Sequence, residues 1–230
     1  MSSIYPAAAR LQCFMPRHRL NCDSRLISGG IKMYKLSANA GMKQLKRKSP
    51  SSYRHCLRVS AIAQQFANVL GIGGAEKEFL VSGCYLHDLG KLFIPNNILN
   101  RKGKLSDREW RIMRQHPSCG GSAAELYPGI SSRIVEIVRY HHERWDGGGY
   151  PEGRSRHDIP YLARICAIID TFDSMMSNRC YRSRLSLDDS VNELRRGSGT
   201  QFDPSLVEPF IAFIKTSQLD ETMYGHPAAV

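Results

Sequence analysis

From about Tyr53 onward, apolar residues recur three and four positions apart. Val59, Ile62, Ala63, Phe66, Val69 and Leu70 share one face of a helix over about 53–70, which Gly71, Gly73 and Gly74 end. A second helix is predicted over about 76–89, with Phe79, Leu80, Gly83 and Leu86 facing inward and Gly90 as its stop. Ser106 and Glu109 form an S-x-x-E capping box for a third, which runs to His116, before Pro117. A short fourth covers about 118–126, and a fifth starts near Ser131 and carries Ile134, Val135, Ile137 and Val138. A glycine-rich loop, "DGGGYPEGRSRHD", leads to Pro160 and a long apolar helix through "YLARICAIIDTFDSMM". Two more follow over about 187–196 and 204–214, with Ser186 and Asp203 as N-caps. No run alternates with the period of two that a half-buried strand requires. The fold class expected is all-α, a bundle of seven to eight helices.

Residues 1–50 show no sustained apolar period and contain Pro6, Pro16, Gly29, Gly30 and the run "KQLKRKSP". They read as a largely irregular extension, mostly disordered or weakly helical. Of the 32 Lys and Arg, ten lie in residues 1–52, against Asp23 as the one acid there. The net charge of +11 therefore belongs mostly to the extension, and the rest of the chain is near balance. A solvated linker explains the basic run better than a nucleic-acid or membrane-surface role, and no specific nucleic acid is expected as a partner. The expected organisation is an extension over 1–50, one catalytic domain over 51–216 and a tail over 217–230. The seven cysteines are scattered and include no C-x-x-C, which suits a reducing compartment and points to the cytoplasm. No stretch approaches the roughly 18 apolar residues of a membrane span, and the N-terminus lacks an export-signal pattern.

Candidate chemistry enters with "CYLHDLGKLFIP", which sets His87, Asp88 and Lys91 in an apolar helical segment. Burying such groups is costly unless something pairs with them. Of the eight histidines, His55, His87, His116, His141 and His142 all fall on or at the ends of apolar helices. Asp170 sits between Ile168, Ile169 and Phe172. A lone core histidine is usually just hydrogen-bonded, and Asp170 could form an ion pair with Arg164 or Arg139. Five histidines and two aspartates together are better satisfied by shared metal, and imidazole with carboxylate suits Fe, Mn, Zn or Ni. Two six-coordinate ions need about twelve bonds. Five histidines, Asp170 and a bridging Asp88 supply most of them, leaving the rest to a hydroxide and substrate oxygens. Lys91 shares a helix face with His87 and Asp88 and could neutralise phosphate charge; the plainer reading is a surface lysine.

The ordered set "HCLRVS", "LHDLGKLFIPNNIL", "GKLSDREW", "HHERWDGGGYP" and "GTQFDP" resembles the HD-GYP family of bacterial cyclic di-GMP phosphodiesterases, over about 51–213. The resemblance implies an HD-domain helical bundle and two divalent ions, Fe or Mn. His55, His87 and Asp170 would hold one ion, His116, His141 and His142 the other, with Asp88 between them. It implies catalytic roles for Asp88 and Lys91, and substrate contacts from Lys91, Tyr150, Arg179 and Arg182. Ser51 stands where three-metal members carry a glutamate, so two ions are expected. Cys180 replaces the usual proline between arginine and tyrosine, and Arg154 and Arg156 replace a leucine and a glycine at the pocket mouth. The expected reaction is hydrolysis of cyclic di-GMP to pGpG or GMP. The alternatives are a catalytically silent cyclic-dinucleotide-binding module and a phosphodiesterase for another nucleotide such as cyclic GMP-AMP. Expected partners are the cyclic dinucleotide, signalling proteins and a second copy in a homodimer.

Overall fold

The helix that matters most to the core is the long apolar one. It runs over Tyr161–Met176, and twelve of its sixteen residues are buried, so it sits at the centre of the bundle with only a narrow edge, Tyr161, Arg164, Thr171 and Ser174, reaching solvent. The computed structural model describes residues 30–178, 183–217, 219 and 224. In chain order its helices are α1 (Gly30–Lys48), α2 (Pro50–Val69), α3 (Gly74–Leu86), α4 (Asn96–Leu99), α5 (Asp107–Met113), α6 (His116–Glu125), α7 (Ser132–Tyr140), α8 (Tyr161–Met176), α9 (Leu187–Arg196) and α10 (Pro204–Thr216). Two 3-10 turns, Leu89–Phe93 and Arg156–Asp158, link them. Among the described residues there is no strand, only an isolated bridge between Ser198 and Phe202. The all-α expectation holds.

Local chemistry accounts for the helix starts. Ser49 accepts the amide of Ser52, with Pro50 in the first turn of α2. Ser106 and Glu109 close a reciprocal capping box on α5. Ser131, Ser186 and Asp203 cap α7, α9 and α10 through their side chains. Two apolar clusters hold the elements together. The larger joins α2, α8 and α10, where Phe66 lies 4.9 Å from Phe210 and 5.4 Å from Phe213, ring centre to ring centre. The smaller joins Ala38, Met42 and Leu45 of α1 to Cys56, Leu86, Leu89, Ile134 and Val138.

Several expectations need correction. Residues 30–48 form a helix, not an irregular extension, and Ala38, Met42 and Leu45 are buried at i, i+4 and i+7. That stripe is narrow and interleaved with lysines, so its period is hard to see in the sequence. The domain boundary expected at Ser51 therefore does not separate 38–50 from the bundle. The second predicted helix does not run on to Leu89; α3 stops at Leu86 and a 3-10 turn follows. His116 opens α6 and does not end α5. The helices exceed the expected seven to eight because α1 and the one-turn α4 add to them. At the other end, Leu219 is buried in the larger cluster and Tyr224 packs against it.

Candidate metal centre

Six elements deliver the polar residues that the sequence singled out to one place. His55 comes from α2, His87 and Asp88 from the break after α3, His116 from the start of α6, His141 and His142 from the end of α7, and Asp170 from α8. Lys91 comes from the 3-10 turn. His55, His87, Asp88, His116, His141 and Asp170 are all buried. His142 is the most open of the group where side-chain exposure is known, at 27% against 11% for Asp170 and 10% for His55.

Donor atoms gather into two triads, His55–His87–Asp170 and His116–His141–His142, each with its atoms within 4.8 Å of one another. In the first, His55 Nε2 lies 2.8 Å from Asp170 Oδ1 and 3.2 Å from His87 Nε2. In the second, His116 Nε2 lies 3.3 Å from His141 Nε2. Asp88 reaches both, with Oδ1 3.3 Å from His116 Nε2 and Oδ2 3.6 Å from His87 Nε2.

The hydrogen bonds on the far side of the rings decide what faces inward. Nδ1 of His87, His116 and His141 lies 2.7, 2.8 and 2.9 Å from the carbonyls of Cys84, Met113 and Val138, each three residues back. A carbonyl only accepts, so Nδ1 carries the hydrogen and Nε2 presents a lone pair. Burial, with His142 as the next contributor, pushes His116 down to about 3. Burial also lowers His87 and His141, and takes His142 down to about 4 against the pull of Asp170 and Asp88. These rings are neutral near pH 7. Lone pairs aimed at each other across 3.3 Å repel unless a cation lies between them, so the donor set fits metal ions.

His55 is held differently. Its Nδ1 lies 2.6 Å from Asp173 Oδ2. Asp173 is fully buried and takes Arg58 Nε and Nη2 at 2.7 and 2.8 Å and the Tyr224 hydroxyl at 2.6 Å. Burial opposes charge on His55, but the hydrogen bonds of Asp170 and Asp173 outweigh it and raise it to about 9. Burial likewise opposes ionisation of Asp88 and Asp170, yet Lys91 and His55 respectively hold their carboxyls well below the usual range. Lys91 Nζ lies 2.5 Å from Asp88 Oδ2.

The other expectations divide. Arg164 and Arg139 do not pair with Asp170; they pair with Asp203 and Glu125. Tyr150 packs its ring 4.9 Å from that of His142 and donates its amide to the His142 carbonyl at 3.1 Å. Gly149 is required by close approach, since a Cβ there would lie 2.4 Å from Arg144 N. Arg154 is engaged by Glu152 and by the Tyr140 ring, 4.0 Å from its guanidinium. Ser51 is exposed and bonds only Ser49 among the described residues. Arg179 and Arg182 lie outside the described residues. Cys56 packs beside Asp88, but burial pushes its thiol well up, which disfavours it as a ligand. Sequence reasoning missed Arg58, Asp173 and Tyr224. The spacing held a signal for two of them, because Arg58 and Asp173 each follow a site residue by three and so share its helix face.

Comparison with known proteins bears on this arrangement. Residues 39–206 match the family model described as HD domain. A cyclic di-GMP phosphodiesterase of Vibrio cholerae is 40% identical over 141 residues, 59% of this chain and 29% of that protein. A 3'3'-cGAMP-specific phosphodiesterase of the same species is 34% identical over 168 residues, 71% of this chain and 32% of its own length. The cyclic di-GMP phosphodiesterase response regulator RpfG of Xanthomonas campestris is 36% identical over 158 residues, 67% and 41% of the two chains. The chain thus spans less than half the length of these relatives. Among solved structures, a HDG"Y"P protein from Bdellovibrio bacteriovorus superposes with a TM-score of 0.61 at 18% identity, covering 79% of this chain and 63% of its own. A cyclic GMP-AMP specific phosphodiesterase of V. cholerae gives 0.59 at 19%, covering 83% and 50%. At such identities these two likenesses speak for the fold.

Proposed function

Because the chain belongs to the HD domain family, in its HD-GYP branch, we propose that it is a metal-dependent phosphodiesterase that opens cyclic di-GMP to pGpG or GMP. The observation that carries this reading is the pair of largely buried donor triads, one His-His-Asp and one all-histidine, whose inward nitrogens lie 3.2 and 3.3 Å apart, with Asp88 between them. Cations bound there would relieve the repulsion between the inward lone pairs. His55, His87 and Asp170 would hold one ion and His116, His141 and His142 the other, with Asp88 placed to serve both. Two divalent ions, Fe or Mn, would activate water and neutralise phosphate charge there.

The chain's own groups do the rest. The backbone carbonyls behind His87, His116 and His141 fix which nitrogen faces the ions. The Asp173–Arg58 pair does the same for His55. Lys91, partly exposed beside Asp88, supplies positive charge for a non-bridging phosphate oxygen as charge builds on it. The exposed edge of His142 marks the side from which substrate enters, with Tyr150 along its wall. Arg179 and Arg182 are proposed to contact the nucleotide as two forks three residues apart.

Protein purified anaerobically and loaded with Fe or Mn is expected to convert cyclic di-GMP to linear pGpG or GMP. Asp88→Asn is expected to lower kcat by at least about a thousandfold, as loss of metal clamping does, while circular dichroism stays unchanged. No product under any of these metals would overturn the reading. A second substrate, cyclic GMP-AMP, is kept in view because V. cholerae relatives named for it match this chain as extensively as the cyclic di-GMP enzymes do. Product profiles over a dinucleotide panel separate the two. A silent binding module fits less well, since both triads and the bridging carboxylate are complete. A cytoplasmic location belongs to this reading and rests on the scattered cysteine spacing, which includes no C-x-x-C. No helix among the described residues is long and apolar enough to cross a membrane.

A further inference from the structure

The wall of the site continues past Tyr150 to a residue with no assigned role. Arg114 is the C-cap of α5, two positions before His116, and its side chain is exposed. Its guanidinium carbon lies 5.0 Å from the centre of the Tyr150 ring, and that ring lies 4.9 Å from the His142 ring. His142 is the open edge of the triads, so moving outward from the cage one meets first the Tyr150 ring and then a positive charge. Nearby arginines are already engaged, Arg144 with Asp146 and Arg154 with Glu152. Among the described residues no carboxylate pairs with Arg114; the Tyr150 ring is its partner. A ring face under a solvent-exposed guanidinium holds it in place weakly and leaves its donor fork free.

We propose that Arg114 is a substrate-binding residue that takes the second phosphate of the cyclic dinucleotide while the first lies in the metal cage. This rests on the phosphodiesterase reading. A cyclic dinucleotide carries two phosphodiesters on opposite sides of its macrocycle, so seating one in the cage carries the other outward along the wall. A planar fork pairs with phosphate oxygens through two parallel hydrogen bonds. Arg114 stands two ring contacts from the cage, on the open side. A substrate with a single phosphate cannot reach both places.

The test compares wild type with Arg114→Ala and Arg114→Lys, each loaded with Mn. Dissociation constants are measured by calorimetry for the bis-phosphorothioate analogue of cyclic di-GMP, which resists cleavage. Steady-state constants are measured for cyclic di-GMP and for bis(4-nitrophenyl) phosphate, which has one phosphate. Arg114→Ala is expected to weaken the dinucleotide analogue about 10- to 100-fold, the range for a lost hydrogen bond to a charged group, with Arg114→Lys in between. The same loss is expected in KM for cyclic di-GMP with little change in kcat, and it exceeds the loss on the single-phosphate ester at least about tenfold. An unchanged dissociation constant overturns the proposal, as does an equal loss on both esters, which would make Arg114 a support for Tyr150. Binding that depends on Arg114 without any turnover by wild type would remove the phosphodiesterase and keep the phosphate contact. Absence of binding to wild type would overturn both.

Discussion

His55 differs from the other buried histidines in what holds its Nδ1. They lean on backbone carbonyls, whereas it leans on Asp173, a carboxylate that also carries Arg58 and Tyr224. A carboxylate behind a ligating imidazole fixes its orientation and raises its basicity, so its loss costs about 10- to 100-fold in metal affinity. Asp173→Asn keeps the shape and removes the charge. It is expected to lower Mn affinity by that factor at the His55 triad, read by chelator competition. Full metal content at the same free Mn concentration would show that the buried pair serves packing alone. Asp173 lies in an apolar helix, and its i+3 spacing from Asp170 is legible in the sequence. Its partner across the core is not, because 115 residues separate it from Arg58.

At the scale of elements, the break after α3 does what a continuous helix could not. It lets Asp88 reach His116 of the second triad while its chain neighbour His87 stays in the first. Gly90 makes the break possible, since a Cβ there would lie 1.8 Å from the His116 carbonyl oxygen and 2.6 Å from the Gly120 amide. Both obstacles are backbone, so the turn and α6 would have to separate. Gly90→Ala is expected to cost about 1–3 kcal/mol, as overpacking does, and to lower metal content by drawing His116 from Asp88. Urea unfolding together with elemental analysis checks it; wild-type values in both would show that the two elements part without cost. The sequence suggested Gly90 as a helix stop, and the helix does end nearby. The reason for the glycine lies in an element 26 positions further on, beyond any local pattern.

For the whole molecule, α1 is the element whose place was least expected. Met42 and Leu45 are fully buried against Leu86 and Leu89, on either side of His87 and Asp88. Lys48 at its end donates to the carbonyls of Leu92 and Ile94 at 2.7 and 2.6 Å, bracing the turn that carries Lys91. The basic N-terminal segment is therefore in part a buttress of the site. Met42→Ala is expected to destabilise the protein by about 2–5 kcal/mol, the range for a large-to-small change in a tight core. A shift of under about 0.5 kcal/mol, typical of a surface position, would mean that α1 is only loosely attached. The family model agrees with this placement in beginning at residue 39, inside α1.

What the sequence determined by itself were the things that nearest neighbours along the chain control. Helix periods, the caps at Ser106, Ser186 and Asp203, and the presence of too many buried histidines all follow from residues within a few positions of one another. Motif order then pointed to the chemistry. Helix periods left open which donors meet, and the packed bundle brings His55 to His87 and Asp170 across gaps of 32 and 115 residues. It decided that Arg139 and Arg164 turn away from Asp170, and that Arg58, Asp173 and Tyr224 support the site from behind. The physical reason is one of range. Helix propensity and capping act over a turn, whereas desolvated charges choose partners by distance in the packed bundle, which only the arrangement of all the helices sets.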